Sequence, residues 1–173
     1  LSRRGADPPR NHRGRASHRR DDHARRAGTG RRSHAGGAGG ADLASIFRKT
    51  IEDATRTNGY VAWDEVGDLL DTLDDVVDSL AELLQPATSG MLIELLEYAI
   101  ERVETMMEEV DDSDGGMGDI VARFGELHVE ACRMSRPDPV SLAGRLFQLE
   151  MTLPFGICSF DPLAYREVLG EQG

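Results

Sequence analysis

An all-α fold, with about six helices paired as antiparallel hairpins and stacked into a TPR-like helical-repeat array, is predicted by three observations. From Asp42 onward the apolar residues recur at intervals of three and four. The breaks in that pattern fall on residues that start or stop helices: Asn58-Gly59, Pro86, the polar turn Asp111 to Gly116, Pro137 and Asp161-Pro162. No segment reads as a strand.

The first helix is expected from about Leu43 to Thr57. Asp42 is its N-cap candidate, because a short carboxylate can accept from the unpaired N–H groups of a first turn. Asn58-Gly59 supplies the stop, and Ile46, Phe47, Ile51 and Ala54 form the buried side. The second helix, from about Trp63 to Gln85, carries a continuous stripe of Val66, Leu69, Leu70, Leu73, Val76, Val77, Leu80, Leu83 and Leu84. Pro86 and Thr88-Ser89-Gly90 end it and begin the third. There Met91, Leu92, Leu95, Leu96, Ala99, Ile100, Val103, Met106, Met107 and Val110 repeat the pattern. The short connection predicts that the second and third helices form an antiparallel hairpin.

The fourth helix is expected from about Met117 to Ser135, facing inward through Ile120, Val121, Phe124, Leu127, Ala131 and Cys132. The fifth runs from about Pro139 to Met151. Asp138 is its N-cap, Pro139 takes the first helical position, and Leu142, Leu146, Phe147 and Leu149 are its candidates for burial. Thr152 to Phe160 is a loop. A short sixth helix then carries Leu163, Tyr165, Val168 and Leu169 and closes at Gly170. An apolar face with no following partner predicts that residues 41–173 are a fragment of a longer array.

The chain of 173 residues is 39% apolar, enough for one domain with a modest core. Its charge is uneven. Residues 1–40 hold 11 Arg, no Lys and 3 Asp, a net of +8, whereas residues 41–173 stand at −19. With 8 Gly and no aromatic, the first forty residues cannot bury enough apolar surface to offset the entropy of ordering, so they are expected to be a disordered tail. The acidic remainder repels nucleic-acid phosphate and anionic membrane, leaving that tail as the one route to nucleic acid. No run of eighteen apolar residues or secretory h-region occurs, which predicts a cytoplasmic protein without membrane attachment. Cys132 and Cys158 are too few for a disulfide framework and are expected to be reduced thiols.

Few residues offer chemistry. Asp112, Ser113, Asp114 and Gly115 resemble the middle of a calcium loop. Placing Gly115 at the loop's sixth position puts Val110 and Val121 where carboxylate ligands are required. The alternative is a helix connection in which Ser113 or Asp114 caps the fourth helix and the glycines take positive φ. Trp63, Val66, Gly67 and Leu70 match the opening of a tetratricopeptide unit, but Ser79 and Pro86 stand where its alanines belong. His128 and Cys132, four apart on one helical face, have the spacing of half a metal site, and Cys158 could add a third ligand. Because His128 is the single histidine after residue 40, the competing expectation is a satisfied core pair with no metal or cofactor. The same scarcity argues against Ser-His-Asp and Cys-His catalysis, and no enzymatic activity is expected.

Two carboxylate rows remain. Asp64, Asp68, Asp71, Asp75, Asp78 and Glu82 lie on the second helix; Glu94, Glu97, Glu101, Glu104 and Glu108 lie on the third. Both are expected opposite their apolar stripes, either as solvated faces or as an acidic surface for a basic partner, including the chain's own arginine arm. Carboxylates on one exposed ridge do not bracket a substrate, which disfavours paired-carboxylate hydrolysis.

Three stretches carry a family resemblance. They are Phe47-Arg48-Lys49 through Thr55-Arg56-Thr57-Asn58-Gly59-Tyr60-Val61, then Val76-Val77-Asp78-Ser79-Leu80, then Val110-Asp111-Asp112-Ser113-Asp114-Gly115 leading to Glu126-Leu127-His128 and Ala131-Cys132-Arg133. Arg136-Pro137-Asp138-Pro139-Val140 and Val168-Leu169-Gly170-Glu171 extend it. Over residues 43–173 the chain resembles an uncharacterised bacterial family of long all-helical proteins, some of which carry a SWIM-type zinc finger upstream. The resemblance implies helices that continue beyond those seen here. The finger's CxC and CxH pairs have no counterpart in residues 1–40, which lack cysteine, so no zinc ligand carries over. The loop Leu153 to Phe160 departs from the family's pattern, and no catalytic residue is implied.

The expected function is a non-enzymatic scaffold that binds another protein through its acidic ridges or concave face, with a homodimer covering an exposed end of the array. The alternative is a nucleic-acid-associated module, working through the arginine arm or through a zinc finger in longer relatives.

Overall fold

The computed structural model describes residues 37–158 and 160–170. They form α1 (Gly37–Ala54), α2 (Val66–Ala81), α3 (Ser89–Met106), α4 (Gly116–Ser135), α5 (Pro139–Thr152) and α6 (Arg166–Leu169), with a 3₁₀ turn at Met107–Glu109. Among the described residues there is no strand, only an isolated parallel bridge between Val61 and Val110. The class is all-α, as the apolar period predicts. The tail expected over residues 1–40 lies outside the described residues up to 36. Its last four residues instead open α1, which begins at Gly37. Once Ile51 and its neighbours dock, each added residue contributes a backbone hydrogen bond without a new nucleus, so the helix runs back past the expected cap at Asp42.

The first four helices form a ring in the order α1, α2, α4, α3, each packed on two others. Directions follow from named contacts. Tyr98 Oη donates to Glu52 at 2.9 Å and Arg102 Nε to the Thr55 hydroxyl at 3.2 Å, so α1 and α3 run parallel. Leu70 lies against Gly116, and Arg123 pairs with Asp74 and Asp78, so α2 and α4 also run parallel. Gly90 sits beside Ser135 and Glu97 beside His128, which makes α3 and α4 antiparallel. The hairpins are therefore α1–α2 and α3–α4, and the expected α2–α3 hairpin is corrected. A short connection keeps consecutive helices close, but the shared face is chosen by burial. α3 is apolar on nearly all sides, and its largest face goes to α4.

Leu80, Leu92, Leu96, Ala99, Ile100, Val103, Met117, Val121, Phe124, Ala131 and Leu142 are wholly enclosed. Gly116 lets α4 approach α2 closely here, since a Cβ would stand 2.5 Å from a methyl of Leu70, which would have to shift. The connections 55–65 and 107–115 meet at one end of the ring: Val61 N–H donates to the Glu109 carbonyl at 2.7 Å, and Asp111 N–H to that of Val61 at 3.0 Å.

Asp138 caps α5 as expected, accepting from Ser141 N–H at 2.9 Å with Pro139 in the first turn. The cap of α4 differs from both candidates, because Asp112 accepts from Met117 N–H at 3.0 Å. Gly115 takes φ 78°, while Gly116 is helical. Ile46 and Phe147, expected inside, are exposed, and so is Leu163 of the last segment. For Ile46 and Phe147 the neighbours on the helical wheel, Phe47 and Ile51 in α1 and Leu142 and Leu146 in α5, already fill the contact face. In the last segment Tyr165 takes the interior position and Leu163 points out.

Candidate functional site

The α2 row meets the expectation of a solvated face. Asp64, Asp68, Asp71, Asp75, Asp78 and Glu82 are all exposed, with Asp78 bound to Arg123 at 2.8 Å. The α3 row does not behave as one ridge. Glu94, Glu101 and Glu108 are exposed, Glu97 is half-buried and Glu104 is fully buried. Glu104 accepts N–H bonds from Phe155 at 3.2 Å, Gly156 at 3.0 Å and Cys158 at 3.0 Å. Backbone N–H groups converging on one carboxylate make an anion nest, filled by the protein's own side chain. The expectation of an open row is thus corrected at Glu97 and Glu104. A helix buried around most of its circumference must bury some of its carboxylates, and these two find donors.

His128 is enclosed with both ring nitrogens engaged. Its Nδ1 lies 2.8 Å from Tyr165 Oη and its Nε2 3.4 Å from Glu97 Oε1, so the arrangement fits Nδ1 accepting from the phenol and Nε2–H donating to the carboxylate. Glu97 Oε2 continues the chain to Arg145 at 3.6 Å. Cys132 Sγ stands 3.6 Å from Nδ1, and Phe160 and Tyr165 pack edge-on around the imidazole. Burial pushes the thiols of Cys132 and Cys158 up to about 12, and raises the Tyr165 phenol as well. Such thiols are protonated and unreactive near neutrality. Among the described residues no three His, Cys, Asp or Glu side chains gather as a metal site.

In the turn, Asp112 is spent on its cap and Asp114 accepts from the Trp63 indole N–H at 2.9 Å. Asp111 takes the Ser113 hydroxyl, and Gly115 provides the positive φ. These contacts assign Asp112, Asp114 and Gly115 to a helix connection.

A groove of about 650 Å³ opens between α3 and α5. One wall presents Glu94, Glu97, Tyr98 and Glu101; the other presents Val140, Gly144, Gln148 and Leu149. Arg48 lies 4.1 Å above the Tyr98 ring, and Arg145 is turned to Glu97, so the groove's cations are engaged. Glu94 and Glu101 have no partner among the described residues.

No family model, curated protein or solved structure matches the chain.

From the groove's rim outward, α5 carries a second apolar face that the sequence reading missed. Val140 is 81% exposed, Phe147 61% and Met151 67%, and Phe155 and Ile157 in the following loop are exposed as well. With Gly144 the helical members stand at i, i+4, i+7 and i+11, one stripe of a helix. The signal was legible as an apolar count too high for one face of α5. No helix of the described residues is long and apolar enough to cross a membrane.

Proposed function

We propose that the chain is a non-enzymatic helical-repeat scaffold that mediates protein–protein interaction in the cytoplasm. The observation that carries this reading is the exposed Val140-Gly144-Phe147-Met151 stripe. A contiguous apolar strip on a charged, acidic body costs solubility and is the usual mark of a surface that another protein covers. Two hairpins stacked in parallel register fit a TPR-like repeat, and the quoted stretches keep the SWIM-associated helical family as the proposed relation. The acidic α2 row, Asp64 to Glu82, supplies orientation and solubility in this scheme rather than the contact itself.

The test places a photo-crosslinking residue at Phe147 and, separately, at Asp71 in the full chain expressed in cells. Discrete protein adducts at 147 that are absent at 71 are expected. Equal adducts at both positions, or none, would sink the scaffold reading. The 11 arginines of residues 1–40 favour one competing reading, a nucleic-acid module. It predicts binding of labelled DNA or RNA by the full chain that falls steeply with salt.

A further inference from the structure

We infer that the α3–α5 groove receives a basic amphipathic helix, its apolar side on α5 and its cations on Glu94 and Glu101. The inference deepens the scaffold proposal and rests on it. A cleft between two helices is shaped to take a third, laid along the ridges that line it. The α5 wall supplies the apolar contact through Val140 and Leu149. It also supplies a close approach, because nothing stands within 4 Å of where a Cβ on Gly144 would be. Charge selects the occupant. Glu97 is held by His128 and Arg145, and Arg48 by the Tyr98 ring, which leaves the carboxylates of Glu94 and Glu101 as the groove's charges without a partner among the described residues.

Those two carboxylates are seven residues apart on α3, a rise of about 10 Å or two turns. A docked helix matches them with Lys or Arg likewise seven residues apart, flanking an apolar i, i+3, i+4, i+7 face. A second copy of the chain is a poorer occupant, since residues 41–173 stand at −19 and two such bodies repel.

The test uses the full chain and a labelled synthetic peptide of roughly 18 residues, about five turns, with a leucine face and flanking lysines seven apart. Saturable binding is expected, weakened about tenfold or more by the double variant Glu94→Lys/Glu101→Lys, the loss of two ion pairs at a partly desolvated site. The control variant Asp64→Lys/Asp68→Lys changes overall charge equally and is expected to leave binding within about twofold once salt screens the distant field. Gly144→Gln fills the groove while removing a helix-weakening glycine, so binding falls as thermal stability holds or rises.

Equal binding of a peptide with glutamates for lysines, or equal losses in both double variants, overturns the inference. A dimer in sedimentation that Gly144→Gln breaks also overturns it, by giving the groove to a second copy. If the peptide fails while crosslinks at Phe147 persist, the occupant's chemistry is wrong and the scaffold stands; if both fail, the scaffold falls with it.

Discussion

The carboxylate of Glu104 accepts the N–H of Cys158 at 3.0 Å, joining the last turn of α3 to a loop 54 residues later. Two further N–H groups of that loop end on the same side chain, so the path from α5 to α6 is pinned to the core by one residue. Glu104→Ala leaves the buried Cys158 amide without an acceptor. A loss on the order of 2–4 kcal/mol in urea unfolding is expected, with Glu104→Gln intermediate because one oxygen still accepts. A loss under about 0.5 kcal/mol for the alanine variant would mean the loop re-pairs with water.

The buried thiols give an alkaline signature. Burial raises Cys132 and Cys158 from 9.0 to about 12, and Tyr165 rises from 10.0 for the same cause. Raised values favour the protonated forms in the folded state. Their contribution is therefore complete below pH 9 and is lost as pH climbs toward 12. Melting temperature is expected to fall across that window, and less steeply in Cys132→Ala/Cys158→Ala. At pH 8 a thiol reagent should label native protein slowly and denatured protein at once.

His128 and Tyr165 share one hydrogen bond inside the core. Tyr165→Phe leaves the ring nitrogen only the weak Cys132 thiol, 3.6 Å away, at a cost of about 1–3 kcal/mol. Adding His128→Leu removes that nitrogen, so the double variant should lose less than the sum of the singles. Strict additivity in the cycle would show that the bond contributes nothing.

α5 depends on its cap. The Ser141 N–H and then its hydroxyl hold Asp138 below the ordinary carboxylate value of 3.8. A lowered value means stability present above 3.8 and lost as pH falls through the folded-state value. Amide exchange in α5 is expected to quicken in that acid range, and at neutral pH in Asp138→Ala but not in Asp138→Asn.

Two phenylalanines separate core from surface. Phe124→Ala should cost about 3–5 kcal/mol, since the side chain is fully enclosed. Phe147→Ser should change stability by no more than about 0.5 kcal/mol, as expected of an exposed position. Comparable losses at both would place Phe147 in the core.

Those two residues show how far the sequence could be read. Phe124 belongs to a stripe with one solution, and α3, α4, the Asp138 cap and the helical class all follow from period and turn chemistry. Phe147 lies where both faces of α5 are apolar, and period alone does not say which one docks. Pairing was hidden for a related reason: linker length favours neighbours, whereas area burial sent α3 to α4. The site was less legible still. Glu104 and Glu97 keep the same three-and-four spacing as the exposed Glu94 and Glu101, and only the folded path of residues 155–158 and the position of His128 separate them. Asp112 and not Asp114 accepts from Met117 N–H, while Asp114 is taken by the Trp63 indole 51 residues earlier, a contact that spacing within the turn does not disclose.

That bridge gives the two hairpins a pivot. Its two hydrogen bonds clasp them at one end, and the opposite end is joined by the single strand of chain at 82–88. Rotation of one hairpin against the other about this clasp is expected to move the far end most, and Arg123 on Asp74 and Asp78 opposes it along α2. Over the 16 residues of α2, some 24 Å long, a rotation of about 5° moves the far end by about 2 Å. Val61 and Val110 hold the two hairpins at the near end, and Arg123 holds them again where α2 enters its last turn.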